Sequence, residues 1–133
     1  MSYLDSDLTG IIIQGAYRLY NAIGSGFREK VYQRGLAVEL LNAGLEVRAE
    51  VPIPLIHKGA DIGDYFADLV VSDTVIVELK ATDALQRWHP AQLINYLRVS
   101  GKEVGLLINF GPERVEIKRR VHTDDPEAEM QAC

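Results

Sequence analysis

The stretch Phe66-Ala67-Asp68-Leu69-Val70-Val71, followed by Ser72-Asp73-Thr74 and then Val75-Ile76-Val77-Glu78-Leu79-Lys80, decides how this chain is read. Two runs rich in Val, Ile and Leu flank a polar turn, which is the pattern of a β-hairpin. Each run carries charge where a core strand has no use for it: Asp68 in the first, Glu78 and Lys80 in the second. Burying a charge is costly unless it is paired or bound to a metal ion. Residues two apart on a strand share a face, so Glu78 and Lys80 point the same way.

The hairpin register decides whether Asp68 joins them. A two-residue loop at Ser72-Asp73 pairs Val71 with Thr74 and sets Asp68 opposite Val77. A three-residue loop, Ser72-Asp73-Thr74, pairs Val71 with Val75 and sets Asp68 opposite Glu78. The two carboxylates then have Cβ atoms about 5 Å apart and repel each other. A divalent cation between them reverses that sign, so a metal site requires paired residue numbers that sum to 146 across the hairpin. Hard oxygen ligands with no nearby Cys or His cluster point to Mg2+ or Mn2+ rather than zinc. Such an ion orients a water, lowers its pKa and neutralises charge building on a phosphate. Lys80 is placed to stabilise the transition state or to position the attacking water. These are the parts of a phosphodiester-hydrolysing site.

Two helical pairs stand ready to complete it. Glu29 and Tyr32 lie one turn apart in the segment Gly26-Phe27-Arg28-Glu29-Lys30-Val31-Tyr32, and Gln92 and Tyr96 lie one turn apart further on. Apolar positions at Ile12, Ile13, Ala16, Tyr17, Leu19, Tyr20 and Ile23 predict a first helix over about 8–23, capped by Asp5, Ser6 or Asp7. A second helix is predicted over about 28–43, with apolar Val31, Leu36, Val38, Leu40 and Leu41 and with Gly44 at C′. Residues 45–56 read as extended, and Pro52 and Pro54 place them at an edge or a bulge. Trp88-His89-Pro90 opens a helix that runs to Ser100 and stops at Gly101. Val104–Phe110 is a continuous apolar run suited to a strand buried on both faces, and Val115–Val121 alternates as a last strand. The order predicts an α/β domain over residues 1–121, followed by an acidic, flexible tail over 122–133.

The chain has 133 residues, enough for one domain with a real core. No apolar run approaches the roughly 20 residues that span a bilayer. The first residues lack the basic and apolar regions of a secretory signal. The single cysteine, Cys133, cannot form an internal disulfide, so a cytoplasmic setting is expected. The net charge of −5 argues against nucleic acid at first, but six of the acids (Asp5, Asp7, Asp124, Asp125, Glu127 and Glu129) sit at the two ends. Without them 13 acidic residues face 14 basic ones, which leaves nucleic acid open as a partner.

The spacing of Gly26, Glu29 and Tyr32 resembles the signature of the GxxExxY proteins. Asp68, Glu78-Leu79-Lys80, Gln92 and Tyr96 together resemble the PD-(D/E)XK nuclease superfamily, to which that family belongs. The resemblance covers about residues 8–121. It implies a restriction-endonuclease-like core, a mixed β-sheet flanked by helices. It further implies Asp68, Glu78 and Glu29 as metal ligands and catalytic acids, with Lys80 as the catalytic lysine. Tyr32, Gln92 and Tyr96 support the site, and Gln92 and Tyr96 match the QxxxY element of exonuclease-like branches. Ala67 replaces the proline of the superfamily's name, Tyr20 stands where many relatives carry histidine, and Ser25 stands where they often carry proline. The expected activity is Mg2+- or Mn2+-dependent cleavage of nucleic acid, DNA ahead of RNA. The alternative is a nuclease-fold binding or assembly module with little or no turnover, acting inside a larger complex; a third reading is a scaffold or homodimer that does not engage nucleic acid.

Overall fold

The structure, a computed structural model, describes residues 6–123. The expected cap at Asp5, the tail from residue 124 onward and Cys133 lie outside the described residues. Eight elements follow one another: α1 (Ser6–Ile23), α2 (Glu29–Asn42), β1 (Val47–His57), β2 (Ala60–Val71), β3 (Val75–Lys80), α3 (Trp88–Ser100), β4 (Val104–Phe110) and β5 (Val115–Val121). The strands form one sheet in the order β1-β2-β3-β4-β5. Only β3 and β4 run parallel, because α3 carries the chain back between them. The predicted α/β fold, a mixed sheet flanked by helices, is therefore the observed one.

α1 and α2 cover one face. Their buried residues Ile12, Ala16, Leu19, Tyr32, Leu36 and Leu40 pack on Val75, Val77, Leu79 and the β4 residues Leu106 and Ile108. Three of the five apolar positions expected to define α2, namely Val31, Val38 and Leu41, face outward instead, as do Tyr17 and Ile23 among those expected to define α1. Tyr32 and Leu36, with Leu40 a turn further on, hold the inner stripe. The two helices approach closely at Gly35, where an added Cβ would come within 2.6 Å of a Leu19 methyl. α3 covers the other face, with Leu93 and Leu97 against Ile76, Val70 and Leu107. Every residue of β4 is buried, as its unbroken apolar run predicts. Gly101 ends α3 at φ 77°, the left-handed conformation that glycine adopts without a steric cost.

The hairpin turn takes the three-residue form. Ser72 and Asp73 both have positive φ, and the Thr74 N–H donates to the Val71 carbonyl at 3.1 Å. The register runs Val71↔Val75, Val70↔Ile76 and Leu69↔Val77, which is the sum of 146 that the metal hypothesis requires. β1 lies at the edge of the sheet, with Pro52 and Pro54 in it and an irregularity between Leu55 and Ile56.

Where β3 ends, Asn109 of β4 fixes the departing chain. Its side chain is fully buried and acts as an extra rung: Oδ1 accepts the Thr82 N–H at 2.9 Å, while Nδ2 donates to the Thr82 carbonyl and to Glu116 Oε1 at 2.9 Å each. Asn109 also pairs with Lys80 in the parallel ladder, so it sets the path of the segment leaving the lysine. Replacing it by Leu would leave the half-buried Thr82 N–H and carbonyl and the Glu116 carboxylate without this partner. Asn109→Leu is expected to lower stability by roughly 2–4 kcal/mol and to speed hydrogen exchange of the Thr82 amide. An unchanged exchange rate at Thr82 would contradict this role.

Candidate active site

The regular β2–β3 ladder ends at Leu69↔Val77, one pair before Asp68 and Glu78. Beyond that point the two strands exchange side chains for backbone. The Leu79 N–H donates to Asp68 Oδ2 at 2.7 Å, and the Asp68 N–H donates to Glu78 Oε1 at 3.1 Å. Each carboxylate thus satisfies an amide that the parting strands would otherwise leave orphaned. The second oxygen of each carboxylate has no amide partner. The expected facing of Asp68 and Glu78 is present, and it stands at an opening in the sheet.

The same place reverses the faces of the β1–β2 ribbon. Leu69 and Val71 belong to the core under α1 and α2, but Tyr65 and Ala67 pack in the core under α3. On β1, Val47 packs with the first core, whereas Val51 and Ile53 pack with the second. Glu50, which would sit across from Asp68, is missing from the β1–β2 register and has φ 52°. Simple alternation along β2 would place Tyr65 on the α1/α2 side. The reversal brings it to Glu78 instead.

Burial, and then the neighbouring Asp68 charge, push the Glu78 carboxyl up to about 7. Burial also raises Asp68, against the Leu79 amide that lowers it, and the Glu29 charge raises it further. The Lys80 ammonium lowers both carboxyls, which places it within electrostatic reach of each. Among the described residues Lys80 has no ion-pair or hydrogen-bond partner. The Tyr65 hydroxyl is buried with no partner in hydrogen-bonding geometry; burial and the Glu78 charge hold its proton on. Its ring stacks on Tyr96, with centroids 3.3 Å apart and planes 11° apart. Tyr96 is raised by burial and by Glu78.

The helical candidates divide. Tyr96 meets the carboxylates through Tyr65, and Gln92 lines the same groove. Glu29 is exposed at the first position of α2 and acts on Asp68 by charge. Among the described residues no three His, Cys, Asp or Glu side chains converge closely enough to hold an ion. Lys30, next to Glu29, pairs with Glu50 and also lowers Asp68. Tyr32 turns inward: it stacks flat on Phe110 at 4.2 Å, donates its hydroxyl to the Gly24 carbonyl at 2.7 Å and accepts the Phe27 N–H at 3.4 Å. It thereby holds the loop that delivers Glu29. Tyr20 donates to the Gly111 carbonyl at 2.6 Å, so it anchors the β4–β5 turn. His89 accepts the Gln86 N–H at 2.8 Å and stabilises the start of α3, whereas Trp88 is 63% exposed. Tyr65 is the residue that sequence reasoning missed, because nothing in a period-two pattern announces a reversal at Asp68.

A raised carboxyl favours the protonated form in the folded chain. Its stabilisation is present below the unfolded pKa and is lost as pH rises through the folded one. The metal-free protein is therefore expected to lose on the order of 3 kcal/mol between about pH 4.5 and about pH 7. Urea unfolding across that window should show the slope, and Glu78→Gln should remove most of it, leaving the part due to Asp68. A flat profile in the unsubstituted protein would contradict the buried carboxylate pair.

A sequence profile of the PD-(D/E)XK nuclease superfamily matches residues 6–120. No curated protein matches the sequence. Among solved structures, the crystal structure of SSO0001 is similar at 20% identity and a TM-score of 0.48, over 96% of this chain and 64% of that one. This chain thus spans less than two thirds of that protein's length. No helix among the described residues is long and apolar enough to cross a membrane. With the family profile spanning both helices, the split hairpin and the last strand, the chain belongs to the PD-(D/E)XK nuclease superfamily.

Proposed function

We propose that this chain is a divalent-metal-dependent nuclease that hydrolyses phosphodiester bonds in nucleic acid, DNA ahead of RNA. The observation that carries the reading is the crossed contact of Asp68 and Glu78 at the end of the β2–β3 ladder, with Lys80 in electrostatic reach of both. Two adjacent, partly buried carboxylates with raised pKa form a site that a cation relieves. Magnesium is commonly held by one or two carboxylates, with waters and substrate phosphate completing its shell. The donor set here fits that habit. Asp68 and Glu78 would hold Mg2+ or Mn2+, and Glu29 would add negative charge from the first turn of α2. The bound ion supplies charge neutralisation at the phosphate and a water of lowered pKa.

The chain's own residues do the rest. The Leu79 amide orients Asp68 and the Asp68 amide orients Glu78, so neither carboxylate is free to swing. The Lys80 ammonium opposes the negative charge that builds on the phosphate in the transition state, or orients the attacking water. Tyr65 and Tyr96 wall the carboxylates off from solvent on the α3 side. Gln92, which lines the groove beside Tyr65 and Tyr96, would meet the substrate strand there. The Gly26, Glu29 and Tyr32 spacing supports a place in the GxxExxY branch, and the Tyr32 contacts with Gly24 and Phe27 give that spacing a physical role.

The competing reading is a nuclease-fold module that binds without turnover. It draws on one observation: no third carboxylate closes on Asp68 and Glu78 among the described residues. Cleavage of single- and double-stranded DNA and RNA in Mg2+ and Mn2+ separates the two. Lys80→Ala and Glu78→Ala are each expected to lower the rate by about 100-fold or more. Equal residual activity in the unsubstituted protein and both variants would reject the enzyme. Calorimetric Mn2+ binding should disappear in Asp68→Asn; retained binding would place the ion elsewhere.

A further inference from the structure

The β1–β2 hairpin runs past the end of β3 and lies beside α3, leaving a groove of about 490 Å3 between them. One wall is the Tyr65–Tyr96 stack, which is also the wall of the carboxylate site. Ile53, Leu55 and Val99 make the groove apolar. Gln92 and Asn95, one turn apart on α3, add two amides at its rim. Such a volume, mostly apolar with a few placed polar groups, is typical of a small-ligand site.

The chemistry of the lining selects the ligand. The groove has one acidic and one basic residue, Asp64 and Arg98, so it carries no net positive charge to follow a phosphate backbone. Aromatic rings beside amides suit a flat heterocycle with hydrogen-bonding edges. Tyr65 uses one face of Tyr96, and Tyr96 is only partly buried, which leaves its outer face to stack on a ligand. The Gln92 amide makes no hydrogen bond within the described residues. The geometry points to a nucleobase subsite: the groove takes one unpaired base of the strand whose phosphodiester lies at Asp68 and Glu78. The substrate class is then a single strand or a frayed end, since a base held in continuous duplex cannot enter. The position of the scissile bond rests on the proposed nuclease reading; the base-binding groove does not.

The test is binding of fluorescein-labelled oligothymidylate, the same oligomer with abasic sites, and a blunt duplex, measured in Ca2+ to suppress cleavage. The unsubstituted protein should bind oligothymidylate more tightly than either other probe. Tyr96→Ala should weaken oligothymidylate binding by about 5- to 150-fold, and Tyr96→Phe should keep it. Asn95→Ala, a surface change that leaves the fold intact, should weaken it by about 5-fold. The slope of log K against log salt should stay the same in every variant, because a base contact releases no counterions. Equal affinity for the abasic oligomer, a changed salt slope, or full affinity in both Tyr96→Ala and Asn95→Ala would overturn the subsite. Cleavage in Mg2+ is scored separately. If Tyr96-dependent binding occurs without cleavage, the nuclease reading fails and the groove stands. If cleavage occurs while all the variants bind equally, the reverse holds.

Discussion

Asp68 and Glu78 hold each other's strands apart. Each carboxylate accepts an amide proton that would otherwise belong to the β2–β3 ladder, so the sheet opens without leaving a buried donor unmet. The charged site depends on this exchange. With the ladder continued, the two side chains would be cross-strand neighbours of like charge, an arrangement that destabilises a sheet. With the ladder replaced, the same charges become structural hydrogen-bond acceptors, each through one oxygen. The candidate site is therefore the place where regular β-structure gives way.

The surrounding fold makes that opening rigid. β4 is buried along its whole length and pairs with β3 as far as Lys80, so the second strand of the split hairpin cannot drift when the first departs. Asn109 continues the constraint past the end of β3 by gripping both backbone groups of Thr82. On the opposite face, Tyr32 stacks on Phe110 and ties down the loop before α2, which sets Glu29 and Lys30 near Asp68. A carboxylate pair that repels itself is tolerated because the elements bearing it are packed against two cores.

The charge pattern around the opening is mixed rather than uniformly acidic. Lys80 lowers both carboxyls, and Lys30 lowers Asp68 while pairing with Glu50 across the gap between α2 and β1. Burial nevertheless outweighs these cations, and Glu78 remains raised to about 7. The imbalance is the electrostatic reason for expecting a divalent ion there. It also separates the site from the neighbouring groove, where Asp64 and Arg98 cancel and aromatic surface dominates.

Much of this architecture is legible in one dimension because it is local. Helical period, glycine stops and the unbroken run Val104–Phe110 follow from side chains a few residues apart. The hairpin register is only half legible: the turn residues allow a two- or a three-residue loop, a shared metal ion would require the second, and the folded chain takes the second. Which apolar residues of α2 face inward is less legible: Tyr32 and Leu36 were chosen over Val31 and Val38 by the shape of α1 and the sheet. The reversal of the ribbon at Glu50 and Asp68 is not legible at all. It arises where Glu50 drops out of the β1–β2 register and the Asp68 and Glu78 carboxylates take over the amides of β2 and β3, and it carries Tyr65 to Glu78 and stacks it on Tyr96. The sequence by itself determined which charges are present and which strands carry them. Only the tertiary structure decided how those charges are neutralised, which rings wall them in and which face of the hairpin meets α3, because each of these depends on contacts between segments far apart in the chain.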